Sequence, residues 1–454
     1  MTWRAAAVVG MGLLVAGPRG ARANGRFPTA QHVLVGPGET SDVIVLRTTF
    51  GLLVSRNGGG SFRWICEDSL FYPAVYGTVV PLDPPAEITA TGRVVYGYPD
   101  GLRSLTDGCA FADHRAADMR NVTDLAANPA GTAMYAIQYD AAGQRSYLFS
   151  VPTDTMNFRV RGAAFAGVEL STVDGAPSNF DRVYLAGATL DGRAPVLYRS
   201  DDGGVTRRSI GTPAQLGDAA FVSGVARNNP DVLFVRVNQG LGSVLLRTLD
   251  GGATFAAVAQ TSDPMTGFAL SDDAQTVWVG SVNDGLLRST DGGATFARVN
   301  PLPVIGLRFH AGTLWACSDW LRTFALGRSS DGGANFTRVL RFEDLEGPPV
   351  CTNPGENVTV CESRWPIQQR EILSPSPDAG PAPDAPRRTD LGGDGAPDGG
   401  RDAGLDGGLD AGVSPPAAPR SCQCASAPGA ARDVSGLKAL ALALGFAAVV
   451  RRRR

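Results

Sequence analysis

Short apolar runs recur in pairs along most of the chain, and each pair is followed by a polar, glycine-rich octet. Val43-Ile-Val-Leu46 precedes Leu52-Leu-Val54, Val183-Tyr-Leu185 precedes Val196-Leu-Tyr198, and Val277-Trp-Val279 precedes Gly285-Leu-Leu287. Short runs rich in β-branched and aromatic residues, closed by Gly, Asp and Asn, are the pattern of strands joined by turns. No stretch of this region sustains apolar positions at helical spacing. The pattern predicts an all-β domain.

The octets are copies of one another. Ser289-Thr-Asp-Gly-Gly-Ala-Thr-Phe296 is the cleanest, and Thr248 to Phe255 and Ser329 to Phe336 match it closely. Ser200 to Arg207 lacks the aromatic, Ser55 to Phe62 has Asn in place of Asp, Ser104 to Phe111 is degenerate, and Ser150 to Phe158 is weaker still. The octets begin at 55, 104, about 150, 200, 248, 289 and 329. Intervals of about 40 to 50 residues suit a four-stranded propeller blade. The expectation is a single β-propeller of seven four-stranded blades between about 30 and 345; six blades plus an irregular segment at the weak third octet is the alternative.

These octets resemble the Asp-box (BNR) repeat. The resemblance implies a structural role for Asn57, Asp107, Asp202, Asp250, Asp291 and Asp331. A short acidic side chain can accept hydrogen bonds from the backbone N–H groups of its own turn, and Gly permits φ > 0 there. The terminal aromatic would open the next strand and pack inward. On this reading the box carboxylates fix a hairpin and are not catalytic.

The ends of the chain differ from its middle. Arg4, the apolar run Ala5 to Ala16 and the small residues around Ala21-Arg-Ala23 read as a signal peptide over 1–23, with a retained anchor as the alternative. The propeller then occupies 24–345, and a cysteine-containing extension expected to pack on it occupies 346–374. Residues 375–420 are rich in Asp, Gly, Ala and Pro and too poor in apolar residues to offset chain entropy, so a disordered linker is expected. The irregular Asp-Gly spacing argues against calcium-binding repeats. Ser421-Cys-Gln-Cys424, an apolar helix over 437–450 and Arg451 to Arg454 follow. This order is similar to the MYXO-CTERM sorting tail over 421–454. The similarity implies export, processing at Cys422 or Cys424, contact with the export and sorting machinery, and display at the cell surface through a membrane anchor. An ordinary tail anchor is the alternative.

Composition narrows the function classes. A formal charge of -3 on 454 residues makes no field that would gather nucleic acid. Lys438 is the only lysine among 41 basic residues, a bias read here as GC-rich coding. His32, His114 and His310 are far apart, and no CxxC pair accompanies them, so neither a metal nor another cofactor is expected. Cysteines suit an exported protein. Cys66 with Cys109 would tie adjacent blades, and Cys351 with Cys361 would close a short loop. Cys317 is left over in that scheme, or pairs with one of the last two.

Two functions remain. The first is a non-enzymatic propeller that binds a protein, peptide or glycan through one face. The second is a glycoside hydrolase, sialidase-like or of another pattern, drawing on acids such as Asp181, Asp191 and Glu343. Sialidases carry an early Arg-Ile-Pro motif, where this chain reads Gly25-Arg-Phe-Pro28, and that departure counts against sialidase activity. Trp315 and Trp320 are candidates for stacking on a ligand, with inter-blade packing as the plainer role.

Overall fold

Each pair of apolar runs becomes the second and third strands of an antiparallel sheet: Ile44–Thr48 with Gly51–Ser55, Asn179–Thr189 with Pro195–Ser200, and Val277–Ser281 with Gly285–Ser289. The structure is a computed structural model and describes residues 27–71, 84–99, 101–115, 121–211, 216–352 and 355–374. The expected signal, the linker beyond 374 and the tail with Cys422 and Cys424 lie outside the described residues.

Seven sheets form, each running through consecutive strands of the chain. They span 30–66, 86–115, 122–166, 168–209, 219–261, 267–300 and 306–340, and are numbered here as blades one to seven. The weak third octet therefore does lie in a complete blade, whose sheet gains a fifth, two-residue strand at Phe165–Ala166. The first strands of the blades touch one another in sequence around a ring, and that of the seventh blade touches that of the first. The fold is a seven-bladed β-propeller.

Burial explains why the second strands read as unbroken apolar runs. Val183, Tyr184, Leu185 and Ala186 are all fully buried, as are Val277 and Val279. Neighbouring blades pack face to face, so both faces of a middle strand are covered and alternation disappears. The fourth strands are at the perimeter, and Ala256, Ala257, Ala297 and Arg298 are exposed. Each fully buried Val or Leu contributes about 1.5–3 kcal/mol.

Among the described residues no strand is shared between the first and last blades. Their seam is held by side chains and by the residues after the ring. Gly306 lets the backbones approach: a Cβ there would sit 2.5 Å from the Gln31 carbonyl oxygen. Trp320 donates its indole N–H to the Pro28 carbonyl at 2.7 Å and stacks on Phe27. Phe342 stands edge-on to Phe50, 5.1 Å between ring centres. Trp320 is 2 % exposed and Trp315 7 %, so both are seam packing and neither is presented to a ligand.

Helix α1 (Glu67–Phe71) follows the first blade and helix α2 (Glu356–Leu373) follows the seventh. α2 packs on α1 and on the outer strand of blade one, Arg63–Cys66. Trp365 leans on Trp64 at 5.5 Å, and Arg364 pairs with Asp68 at 2.7 Å. Among the described residues no helix is long and apolar enough to cross a membrane.

The disulfide pairing differs from the expected one. Cys66 bonds to Cys361 and Cys109 to Cys351. Pairing by nearness in sequence fails because the ring brings the segment after blade seven back onto blades one and two. Cys317 is free and buried in the seam, where burial pushes its thiol far up. The Cys66–Cys361 bond spans 295 residues of sequence and so restricts the unfolded chain strongly. Replacing both cysteines by alanine is expected to lower stability by about 2–5 kcal/mol. Urea unfolding measures this, and an unchanged midpoint would remove the bond from ring closure.

Candidate functional site

The octets lie between the third and fourth strands of their blades. In blade six, Ser289 Oγ donates to Asp291 Oδ1 at 2.6 Å and accepts the Gly293 N–H at 2.9 Å. Asp291 Oδ1 accepts the N–H groups of Ala294 and Thr295 at 3.0 and 2.9 Å, and Oδ2 accepts the Thr295 hydroxyl at 2.6 Å. Gly292 and Gly293 have φ of 70° and 82°, and a Cβ at Gly293 would meet Phe234 of blade five at 2.6 Å. Asp202, Asp250 and Asp331 are engaged in the same way, and Asn57 Oδ1 accepts from Ser55 and Ser61. Asp107 differs. It accepts only the Cys109 and Ala110 N–H groups, while Ser104 is bonded to His114 instead.

These bonds favour the ionised carboxylates. The Thr206 hydroxyl, then its N–H, draw Asp202 down to about 2. Asp250 is lowered mainly by the Thr254 hydroxyl, Asp291 by the Ser289 hydroxyl and Asp331 by the Asn335 N–H. A group held so firmly ionised is a poor general acid.

A relay of arginines links four of the octets, those of blades four to seven, to the blade before. Arg199, Arg247 and Arg288 each directly precede an octet. Each reaches a carbonyl of the next blade's octet: Gly251 at 3.0 Å, Gly292 at 2.8 Å and Gly332 at 3.1 Å. Arg161 of blade three does the same for Gly203 at 2.7 Å. Arg207 stands where other octets carry Phe. Its guanidinium lies 3.6 Å over the Phe165 ring and donates to the carbonyls of Ala163 and Ala164.

A second set of charges lines the axis. Glu87, Asp124 and Asp174 lie on the inner strands of blades two, three and four. Arg308 and His32 lie on those of blades seven and one, with Arg47 opposite His32 in the next strand. The Arg308 charge acts on both Glu87 and Asp174, and all three residues lie on the inner strands that ring the axis. The carboxylates also stitch blades together. Asp124 accepts the Val173 N–H at 3.0 Å, the Ala127 N–H serves Glu87, and the Val225 N–H serves Asp174. Inner strands of adjacent blades share no ladder, so their inward N–H groups need such acceptors.

Burial pushes Glu87 up to about 7, with Asp124 adding to the rise and Arg308 opposing it. Burial also pushes Asp174 up to about 7, with Asp124 and Glu87 adding and Arg308 opposing. Burial, then Arg47 and Arg308, hold His32 down to about 3, so it is neutral. The sequence contains no local sign of this cluster, because each member comes from a different blade. The only hint is an acid at a position otherwise expected to be apolar in three successive inner strands.

The acids considered from sequence do not converge. Asp181 lies near the start of the strand Asn179–Thr189 and Asp191 in the turn beyond its far end, so the length of the strand separates them. Glu343 is exposed beyond blade seven and pairs with Arg341. His114 and His310 do not join His32, and among the described residues no group of three or more His, Cys, Asp or Glu could hold a metal ion.

Two outcomes follow. Ser289→Ala leaves the buried Gly293 N–H without its acceptor and is expected to cost about 1–3 kcal/mol by urea unfolding. A pH series separates the two carboxylate sets. The octet aspartates have lowered pKa values, so their stabilisation is complete above about pH 4 and is lost as pH falls toward 2. Glu87 and Asp174 bind protons more tightly when folded, so their contribution is complete below about pH 4 and lost as pH rises through 7. A Glu87→Gln, Asp174→Asn protein is therefore expected to gain on the natural one at pH 8 relative to pH 4. Parallel stability curves for the two proteins would contradict the electrostatics of the axial cluster.

No protein-family model matches the sequence, and no curated protein sequence matches it. Solved structures resemble the fold at low identity. The GH74 enzyme of Niastella koreensis is 14% identical over 68% of this chain and 69% of that one, with a TM-score of 0.31. YCF48 bound to D1 peptide is 13% identical over 49% and 67%, with a TM-score of 0.35. Sqt1 of Saccharomyces cerevisiae is 11% identical over 69% and 85%, with a TM-score of 0.48.

Proposed function

We propose that this protein is an exported, surface-displayed propeller that binds a peptide, protein or glycan through the face on which the axial channel opens. The observation that carries this reading is the division of charge around the axis. Glu87, Asp124 and Asp174 come from blades two to four, and Arg308 and Arg47 from blades seven and one. A lining of both signs suits a ligand bearing both signs, which favours a peptide or protein loop over a neutral glycan. The channel carboxylates already serve backbone N–H groups, which supports binding rather than acid–base turnover. The octets are assigned as Asp boxes and carry the scaffold alone. Two disulfides support an oxidising compartment. Display through the tail at Cys422 or Cys424 completes the reading.

Glycoside hydrolysis is the second reading. The specific observation in its favour is a pair of carboxyls, Glu87 and Asp174, both titrating at about 7 near a third acid and an arginine.

One experiment divides the two. The purified protein is assayed on a panel of aryl glycosides and acidic oligosaccharides, beside the Glu87→Gln and Asp174→Asn variants. No turnover by the natural protein is the expected result. Turnover that falls at least a hundredfold in either variant would establish the hydrolase in place of the binding module.

A further inference from the structure

The arginine relay is missing between blades one and two, and a cavity lies there. In blades four, five and six the residue before the octet is arginine, and its guanidinium fills the space beside the next blade's octet. In blade one that residue is Val54, which cannot reach blade two. The segment 349–352 crosses the gap instead. It is fastened by the Cys109–Cys351 bond and by Pro349, whose ring lies where a Cβ on Gly108 would be, 2.7 Å away. Beneath it remains a cavity of about 600 Å³. That is the size range of small-ligand and side-chain pockets.

Arg56 lines this cavity and is incompletely used. Its Nη1 donates to the Gly92 carbonyl at 3.0 Å. Its Nε and Nη2 are buried and have no acceptor among the described residues. Those two nitrogens form the edge of the guanidinium that grips a carboxylate through two parallel bonds. Leaving such donors unmet is costly, and an arriving acceptor recovers that cost. Asp107 and Asp42 are near enough to act on Arg56 but form no ion pair with it. Arg63, also in the lining, is already paired with Glu346 at 2.9 Å. Asp107 also lines the cavity, so what remains unmatched is a pair of donors rather than a net charge, and two parallel donors suit a carboxylate.

The rest of the lining selects the carrier of that carboxylate. Val54, Ile65, Pro349 and Val350 present aliphatic surface, and among the described residues no aromatic side chain lines the cavity. Sugars stack on aromatic faces, whereas aliphatic walls suit small side chains of a peptide. Asn57 and Thr352 add amide and hydroxyl groups at the rim.

We propose that the cavity between blades one and two is a binding site for a carboxylate carried by a peptide chain, held by Arg56. The guanidinium is retained by a single bond from Nη1, so it can turn its free edge into the cavity as the ligand enters. The site lies at the perimeter and is independent of the axial channel, so its failure leaves the channel reading untouched.

The test is calorimetric titration of the full-length protein with capped peptides. Acetyl-Ala-Val-Asp-Ala-amide is expected to bind, and the same peptide with Asn to bind at least tenfold more weakly. Arg56→Gln is expected to weaken the Asp peptide at least tenfold. Val54→Arg supplies the guanidinium that stands after blades four, five and six; it should fill the cavity and abolish binding with an unchanged urea midpoint. No binding of the Asp peptide, equal binding of the two peptides, or undiminished binding by both variants overturns the proposal. Trigalacturonate is the second source of carboxylate. Tighter binding of it than of the Asp peptide, lost in Arg56→Gln, would overturn the peptide assignment.

Discussion

The seam between the first and seventh blades is where the ring either closes or fails, and it is closed without a shared strand. Every other blade is covalently continuous with both neighbours. Here the contacts are Gly306 against Gln31, the Trp320 indole on Pro28, and an aromatic cluster of Phe27, Phe50, Trp320 and Phe342. Hydrophobic burial is non-directional, so it would not by itself fix the angle between two blades. The indole hydrogen bond and the α2 helix, bonded through Cys361 to the outer strand of blade one, supply that direction. The axial cluster depends on the seam in turn, because Arg308 and His32 come from its two sides.

Two electrostatic regimes coexist on this frame. At the perimeter, carboxylates are surrounded by donors and remain ionised far below neutrality. At the axis, carboxylates are crowded by one another and by protein, and the neutral form gains ground. The same residue type therefore does opposite things at two radii. What differs is burial first, and then the number of hydrogen-bond donors against the number of like charges.

Much of the fold was legible in the sequence because the octet is local. Ser, Asp, two Gly and Thr within eight residues contain the whole hydrogen-bonded turn, so repetition alone revealed the blades. Even blade three, whose octet is nearly erased, was legible from its place in the spacing. The arginine relay was half legible: Arg199, Arg247 and Arg288 stand in one register, but their acceptors are in the next repeat. The disulfides and the axial acids were not legible. Cys66 and Cys361, or Glu87 and Arg308, meet only when the ring is complete, and no short-range pattern encodes that meeting.

The long disulfides also impose an order of events. Cys66 and Cys109 emerge early in synthesis, while Cys351 and Cys361 emerge only after all seven blades. The early pair therefore spends most of translation without its final partners and close to one another in sequence, and Cys317 emerges before those partners do. Burial of Cys317 in the seam withdraws it from exchange once the ring shuts, because a thiol with so high a pKa yields little thiolate. Correct oxidation is thus a record of completed assembly: a chain with both bonds in place has already closed its ring.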